Sequence, residues 1–216
     1  MMFRLALLAA LFAATASLAG EGPAATGQVV VILPFGKVEP ALLEGIAREV
    51  RARVNAETRV DAVRPLPKAA FYAPRNRWRA EKLLEAIDAD PPLGAWKVLA
   101  VTEAEISTTK GQVHDWGIAG LGNIGGQSCV VTGYLYRKHG KTRADLVRRL
   151  NDTAVHELGH TLGLDHCPTV GCVMRDAKGN AIKSTDTSTG QYCALCRAKV
   201  GEGVLLPGQP VPPPTE

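Results

Sequence analysis

His156-Glu157-Leu158-Gly159-His160-Thr161-Leu162-Gly163-Leu164-Asp165-His166 gathers three of the chain's five histidines into eleven residues. Positions four apart on an α-helix are rotated by about 40° and separated by about 6 Å along the axis, so His156 and His160 project from one face and can share a metal ion. Ala154, Val155, Leu158 and Leu162 fall on the opposite half, which can pack on a sheet while the imidazoles look into a cleft. Glu157 sits beside the histidine face, within reach of a water on such an ion without being a ligand itself. Gly163 offers the positive φ that ends a helix, which lets His166 swing back as a third ligand. Three imidazoles and one open position describe a catalytic zinc. HExxH alone arises in about 0.6% of shuffles of this composition, and adding Gly163 and His166 at their offsets lowers that to on the order of one in 100,000.

Outward from this segment the periodicity alternates between extended and helical. Strands are predicted over 28–35, 58–63, 96–102 and 128–136, and helices over 39–54 and 78–89. Three prolines make 64–75 a loop, and five glycines make 114–127 loosely extended. The pattern is an α/β sheet with helices between the early strands. Downstream, Cys167, Cys172, Cys193 and Cys196 form a C-x4-C, x20, C-x2-C arrangement, close to the spacing of a closed structural zinc site, with two disulfides as the alternative in an oxidising compartment. Either link ties the chain after His166 to a C-terminal helix around 189–200. Cys129 reads as a small buried residue of a strand, and His114 and His139 as surface histidines.

The motif resembles the HExxHxxGxxH pattern of the metzincin metallopeptidases, and more narrowly that of the archaemetzincins, in which a cysteine follows the third histidine. Cys167, then Cys172-Val173-Met174, then Cys193-Ala194-Leu195-Cys196 match that family's order. The likeness is strong over 154–197 and weak over 98–132. It implies a metzincin-like α/β fold: a small twisted mixed sheet, an active-site helix and a short C-terminal subdomain holding a four-cysteine zinc site. It further implies two zinc ions, the catalytic one on His156, His160 and His166 and the structural one on Cys167, Cys172, Cys193 and Cys196. Glu157 is then the general base and Met174 lies in a methionine turn beneath the metal. Two departures stand out. Eighteen residues separate Met174 from Cys193 where about seventeen are expected, consistent with a one-residue loop insertion. No tyrosine follows the methionine by two, so a tyrosine ligand is not expected. The activity implied is hydrolysis of peptide bonds; the alternative is a non-catalytic zinc-binding or interaction protein derived from a peptidase, against which the non-ligating Glu157 argues.

The rest of the chain bounds the setting. Its 216 residues are 46% apolar, with Lys+Arg 25 against Asp+Glu 21, which excludes a disordered chain and gives no surface for polyanions such as nucleic acid. Arg4 followed by an uncharged apolar run, with small residues at Ser17 and Ala19, reads as a signal peptide over 1–19. The expectation is a secreted or periplasmic monomer without a membrane segment after cleavage, acting on a peptide or protein. A catalytic domain is expected over 20–200 and a disordered proline-rich tail over 201–216. The glycine-rich 114–122 reads either as the rim of the cleft, where an extended peptide adds to a strand edge, or as an ordinary sheet-edge loop. Endopeptidase and aminopeptidase action both stay open.

Overall fold

A run of seven residues, Val-Val-Val-Ile-Leu-Pro-Phe, forms the strand on which the molecule is built, because β-branched residues buried on both faces need neighbours on both edges. In the computed structural model, which describes residues 27–140 and 142–208, that strand is β1 (Val29–Phe35). It is followed by α1 (Pro40–Arg51), β2 (Glu57–Val60), β3 (Phe71–Tyr72), β4 (Arg77–Arg79), α2 (Ala80–Ala89) and β5 (Lys97–Thr102). Then come β6 (Ile106–Lys110), β7 (Val113–Ile118), β8 (Gly120–Gly122), β9 (Ser128–Thr132) and α3 (Tyr134–His139). The remaining helices are α4 (Arg143–Thr161), α5 (Ala181–Asp186) and α6 (Ala194–Val200).

One sheet has the order β2-β1-β5-β9-β8. Its first four strands are parallel and β8 runs antiparallel to β9 as the edge. Side chains alternate between its faces, so Val30, Ile32, Leu99, Val101, Cys129 and Val131 pack with α1 and α4, while Leu33, Val98, Ala100 and Val130 pack with α2. A second sheet, β3-β4-β6-β7, is also mixed: β4 and β6 are parallel, and the other two pairings are antiparallel.

Three expectations need correction. The strand predicted over 128–136 stops at Thr132: the Thr132 hydroxyl accepts from Tyr134 N, Arg137 N donates to Gly133 O, and the aromatic residues enter α3, where Tyr136 is buried. The helix predicted over 78–89 begins at Ala80, because Arg77, Trp78 and Arg79 are β4; Arg77 and Arg79 are buried against carboxylates of the second sheet and its surroundings. At the C-terminus, Leu205 is buried and bridges Val54, with Asn55 N bonded to Val204 O and Leu206 N to Arg53 O, so 204–206 pack on the end of α1 rather than trailing. The signal segment and 209–216 lie outside the described residues. No helix among the described residues is long and apolar enough to cross a membrane.

Candidate active site

Helix α4 carries the first two histidines and is long because its ends are well made. Thr142 caps it by accepting from Asp145 N at 3.0 Å, and Leu146, Leu150, Ala154, Val155 and Leu158 give it a buried stripe. At its other end Gly163, with φ 89°, turns the chain, and Leu164 N bonds back to Gly159 O. Inside the helix Gly159 lies against the Met174 sulfur, and a Cβ there would also fall 2.9 Å from the Tyr192 ring. This glycine is the bare spot on which the methionine turn and Tyr192 press. Tyr192 is fixed by its hydroxyl, which donates to Val155 O at 2.6 Å.

The three histidines converge. The ring centroids of His156 and His160 are 4.7 Å apart, and that of His166 lies 5.4 and 5.1 Å from them. His156 Nδ1–H donates to Val173 O and His160 Nδ1–H to Leu164 O, each at 2.7 Å. Those bonds fix the tautomer, leaving the two Nε2 lone pairs facing each other at 3.1 Å. Burial, with the neighbouring His160 second, pushes His156 down to about 4, and burial lowers His160 as well. Neutral imidazoles with free Nε2 atoms are the state a metal ion requires. Ligand atoms of all three lie within 4.8 Å of one another, and a tetrahedral ion with bonds of about 2.0–2.1 Å needs about 3.3 Å between donors.

Glu157 is buried beside them, and burial pushes its carboxyl up to about 8, with a hydrogen bond from Gly122 N–H acting in the opposite direction. All four of these side chains border one cleft of about 500 Å³. Trp116, Ile118 and Ile124 bring apolar surface to it from β7 and the turn after β8; Arg175, Asp176 and Ser184 bring polar groups from the segment after Met174. The glycine-rich stretch expected as rim or sheet-edge loop is therefore ordered strand, and its last part, β8, is both a sheet edge and a wall of the cleft.

The four later cysteines also meet. Cys167 Sγ is 3.6 Å from Cys193 Sγ, Cys172 Sγ is 3.7 Å from Cys196 Sγ, and all four sulfurs lie within 4.8 Å. Bonds of about 2.3 Å to a tetrahedral ion put sulfurs about 3.8 Å apart, whereas a disulfide needs about 2.04 Å. Burial works against ionisation of Cys193, but hydrogen bonds, led by that from the Cys196 backbone, bring its thiol down to about 6. Cys129 is buried as expected, near Glu157 and Lys97. His114 sits by the Arg79 guanidinium and contributes to neither group.

With this geometry in view, the chain can be set against known proteins. The sequence profile of peptidase family M54 matches residues 97–202. The archaemetzincin of Pyrococcus furiosus is 30% identical over 183 residues, which cover 81% of this chain and 93% of the relative. The chain belongs to peptidase family M54, the archaemetzincins. It is thus a hydrolase of a family of zinc metallopeptidases. The archaemetzincin of Natronomonas pharaonis is 25% identical, covering 79% of this chain and 98% of its own. The crystal structure of archaemetzincin from Archaeoglobus fulgidus, complexed with malonate, superposes with a TM-score of 0.66 at 26% identity, over 80% of this chain and 99% of that one. That from Methanopyrus kandleri gives 0.68 at 22% identity, over 80% and 93%, and shares the fold.

The three histidines with Glu157, and the four cysteines, singled out in the sequence each come together in the structure; the groups that orient them were not foreseen. The carbonyls of Val173 and Leu164 leave no trace in residue type. Gly120 and Gly122 left one, a G-x-G preceding an apolar strand, whose meaning depends on what packs above it.

Proposed function

We propose that this archaemetzincin cleaves peptide bonds with a catalytic zinc held by His156, His160 and His166 and with Glu157 as general base. The observation that carries the reading is the convergence of three imidazoles, two with their Nδ1 atoms already bonded, beside a buried carboxylate in one cleft. Zinc bound there supplies Lewis-acid polarisation of the substrate carbonyl and lowers the pKa of a water from 15.7 towards about 7. The chain does the rest. A Glu157 carboxylate oxygen takes a proton from the attacking water and hands it to the leaving amine nitrogen, acting as base and then as acid. Val173 O and Leu164 O hold the imidazoles in the tautomer and orientation that present Nε2. The free edge of β8 suits an extended peptide: Thr132 N bonds Ala119 O and Asn123 N bonds Ser128 O, so by antiparallel alternation the peptide groups of Gly120 and Gly122 point away from β9.

We also assign the four-sulfur group to a second, structural zinc, on the fit of its sulfur separations to a tetrahedron. The N-terminal charge followed by an apolar run supports export to a secreted or periplasmic location.

Elemental analysis paired with hydrolysis of a peptide library tests the catalytic assignment. Glu157→Gln should keep the wild-type metal content while turnover falls by about 10²–10⁴. His160→Ala should lose both an ion and activity. A Glu157→Gln variant with wild-type turnover would overturn the base, and a metal-loaded wild type that cleaves nothing would favour the non-catalytic binder.

A further inference from the structure

The glycines of β8 face helix α4 as well as the cleft. Gly120 and Gly122 pair with Val131 and Cys129 and therefore lie on the sheet face that α4 covers, while Leu121 between them packs on the α2 side. A Cβ added at Gly120 would fall 2.5 Å from Glu157 Cγ, 2.7 Å from its Oε1 and 2.9 Å from its Cδ. One added at Gly122 would fall 2.5 Å from the Glu157 carbonyl oxygen and 3.0 Å from His160 Cβ. The Gly122 backbone also acts on the Glu157 carboxyl, favouring its ionised form against the effect of burial. The turn that follows continues the contact: Gly125 N bonds His160 O at 2.9 Å, and Lys97 Nζ bridges Gly126 O and Thr161 O at 2.7 Å each. Helix and strand thus run backbone against backbone from Glu157 to Thr161, and the acid side chain lies flat on the α-carbon of Gly120.

We propose that Gly120 and Gly122 are positioning residues that seat the Glu157 carboxylate. Gly120 leaves the space the side chain occupies; Gly122 lets the helix backbone at Glu157 approach the strand closely. The two positions differ in what an added methyl displaces. At Gly122 it meets helix backbone, so α4 and His160 must move. At Gly120 its three nearest neighbours all belong to the Glu157 side chain, which can swing away and leave the histidines in place. The same strand edge turns the peptide groups of the two glycines towards the cleft, so base and substrate are referenced to a single piece of backbone.

This rests on Glu157 as the base, and the experiment keeps the two apart. In the metal-loaded full chain, Gly120→Ala should retain wild-type zinc and lower kcat about a hundredfold, the scale of a displacement near 1 Å, with KM within about twofold. Introduced into Glu157→Gln, the same change should lower the residual rate by less than about twofold, because the group it acts through is already gone. Thermal unfolding gives an independent arm: Gly120→Ala should lower the melting temperature, and Glu157→Ala/Gly120→Ala should recover it, since the truncated side chain vacates the space. That arm reads out even where the single variant folds poorly. Unchanged kcat in Gly120→Ala, an equal loss in the Glu157→Gln background, a rise in KM alone, or failure of the double variant to regain stability would each overturn the seat. Wild-type turnover in Glu157→Gln would overturn the base assignment instead.

Discussion

Asp152 shows how a single residue of α4, one turn before His156, links the cleft to the rest of the fold. Burial pushes its carboxyl up to about 7, against the pull of Arg148 and Arg53; Glu49 adds to the rise, and a Ser188 hydrogen bond opposes it. Arg148 Nη1 stands 3.8 Å from Oδ2, and Gly190 is a glycine partly because a Cβ there would fall 2.7 Å from Oδ1. The unfolded carboxyl titrates near 3.9, so between about pH 4 and pH 7 the unfolded chain has lost a proton that the native one keeps. The native state binds more protons in that window, and its stability falls as pH rises through it. Asp152→Asn mimics the protonated form at every pH. The difference in unfolding free energy between wild type and Asp152→Asn, read from denaturant titrations, should therefore grow from about pH 4 to pH 7 at the expense of the wild type, by at most about 4 kcal/mol. Parallel pH profiles would show that Asp152 is charged throughout. The difference between the two proteins cancels the contribution of all other titrating groups.

At the scale of elements, α5 is a wall of the cleft whose polar attachment to α4 runs through arginine, with Ala181 and Ile182 packed against the core. Ala181, Ser184 and Thr185 border the cleft, and the helix is six residues long, capped by Asn180. It is held to α4 through Asp186, which accepts from Arg148 Nη2 at 2.7 Å and from Arg149 Nε and Nη2 at 2.9 and 3.1 Å, while Arg148 Nη1 donates to Thr185 O. Asp186→Asn should destabilise by about 1 kcal/mol, at the low end for a charge partner of a buried arginine because the Asp186 side chain is 41% exposed. Loosening this wall should raise KM for peptides several-fold with a smaller change in kcat, read from steady-state kinetics; an unchanged KM would show that substrate does not touch α5. Such an element is hard to see in a sequence, since six residues are too few for a helical period. β4 is hidden for another reason. Arg77-Trp78-Arg79 puts arginines where a core strand has apolar residues, and only their pairing with Glu105, Asp115 and Glu81 makes burial tolerable. Its trace is the alternation itself, which adjoins α2 so closely that the helical period absorbs it. By contrast, the 156–166 segment is legible because its information lies in covalent spacing along one helix and one turn, which neighbours do not alter. The long parallel strands are legible because burial on both faces demands unbroken apolar runs.

For the whole molecule, the two clusters divide the work of the fold. The sheet, α1, α2 and α4 enclose continuous cores on both faces of β1 and β5 and need no cross-link. The chain beyond His166 is different: among the described residues its helices span six and seven residues, joined by turns, and its buried side chains include Cys167, Cys172 and Cys196 themselves. With the proposed structural zinc bound, a segment so short in regular structure would gain most of its order from the metal, whereas three imidazoles on α4 and its turn sit on a scaffold already folded. Removal of the two sites should therefore cost stability to very different extents. Cys193→Ser/Cys196→Ser should lose one zinc and lower the melting temperature strongly, together with activity, because Val173 and Met174 lie between Cys172 and the cleft and orient His156 and α4. His160→Ala should lose the other zinc and all activity while the melting temperature falls far less. Elemental analysis reading two ions in wild type and one in each variant, alongside scanning calorimetry, checks both halves. If native wild type instead holds one zinc and, once denatured without reductant, titrates only one of its five thiols, the cysteines form two disulfides, and the C-terminal segment is stapled covalently rather than by a metal.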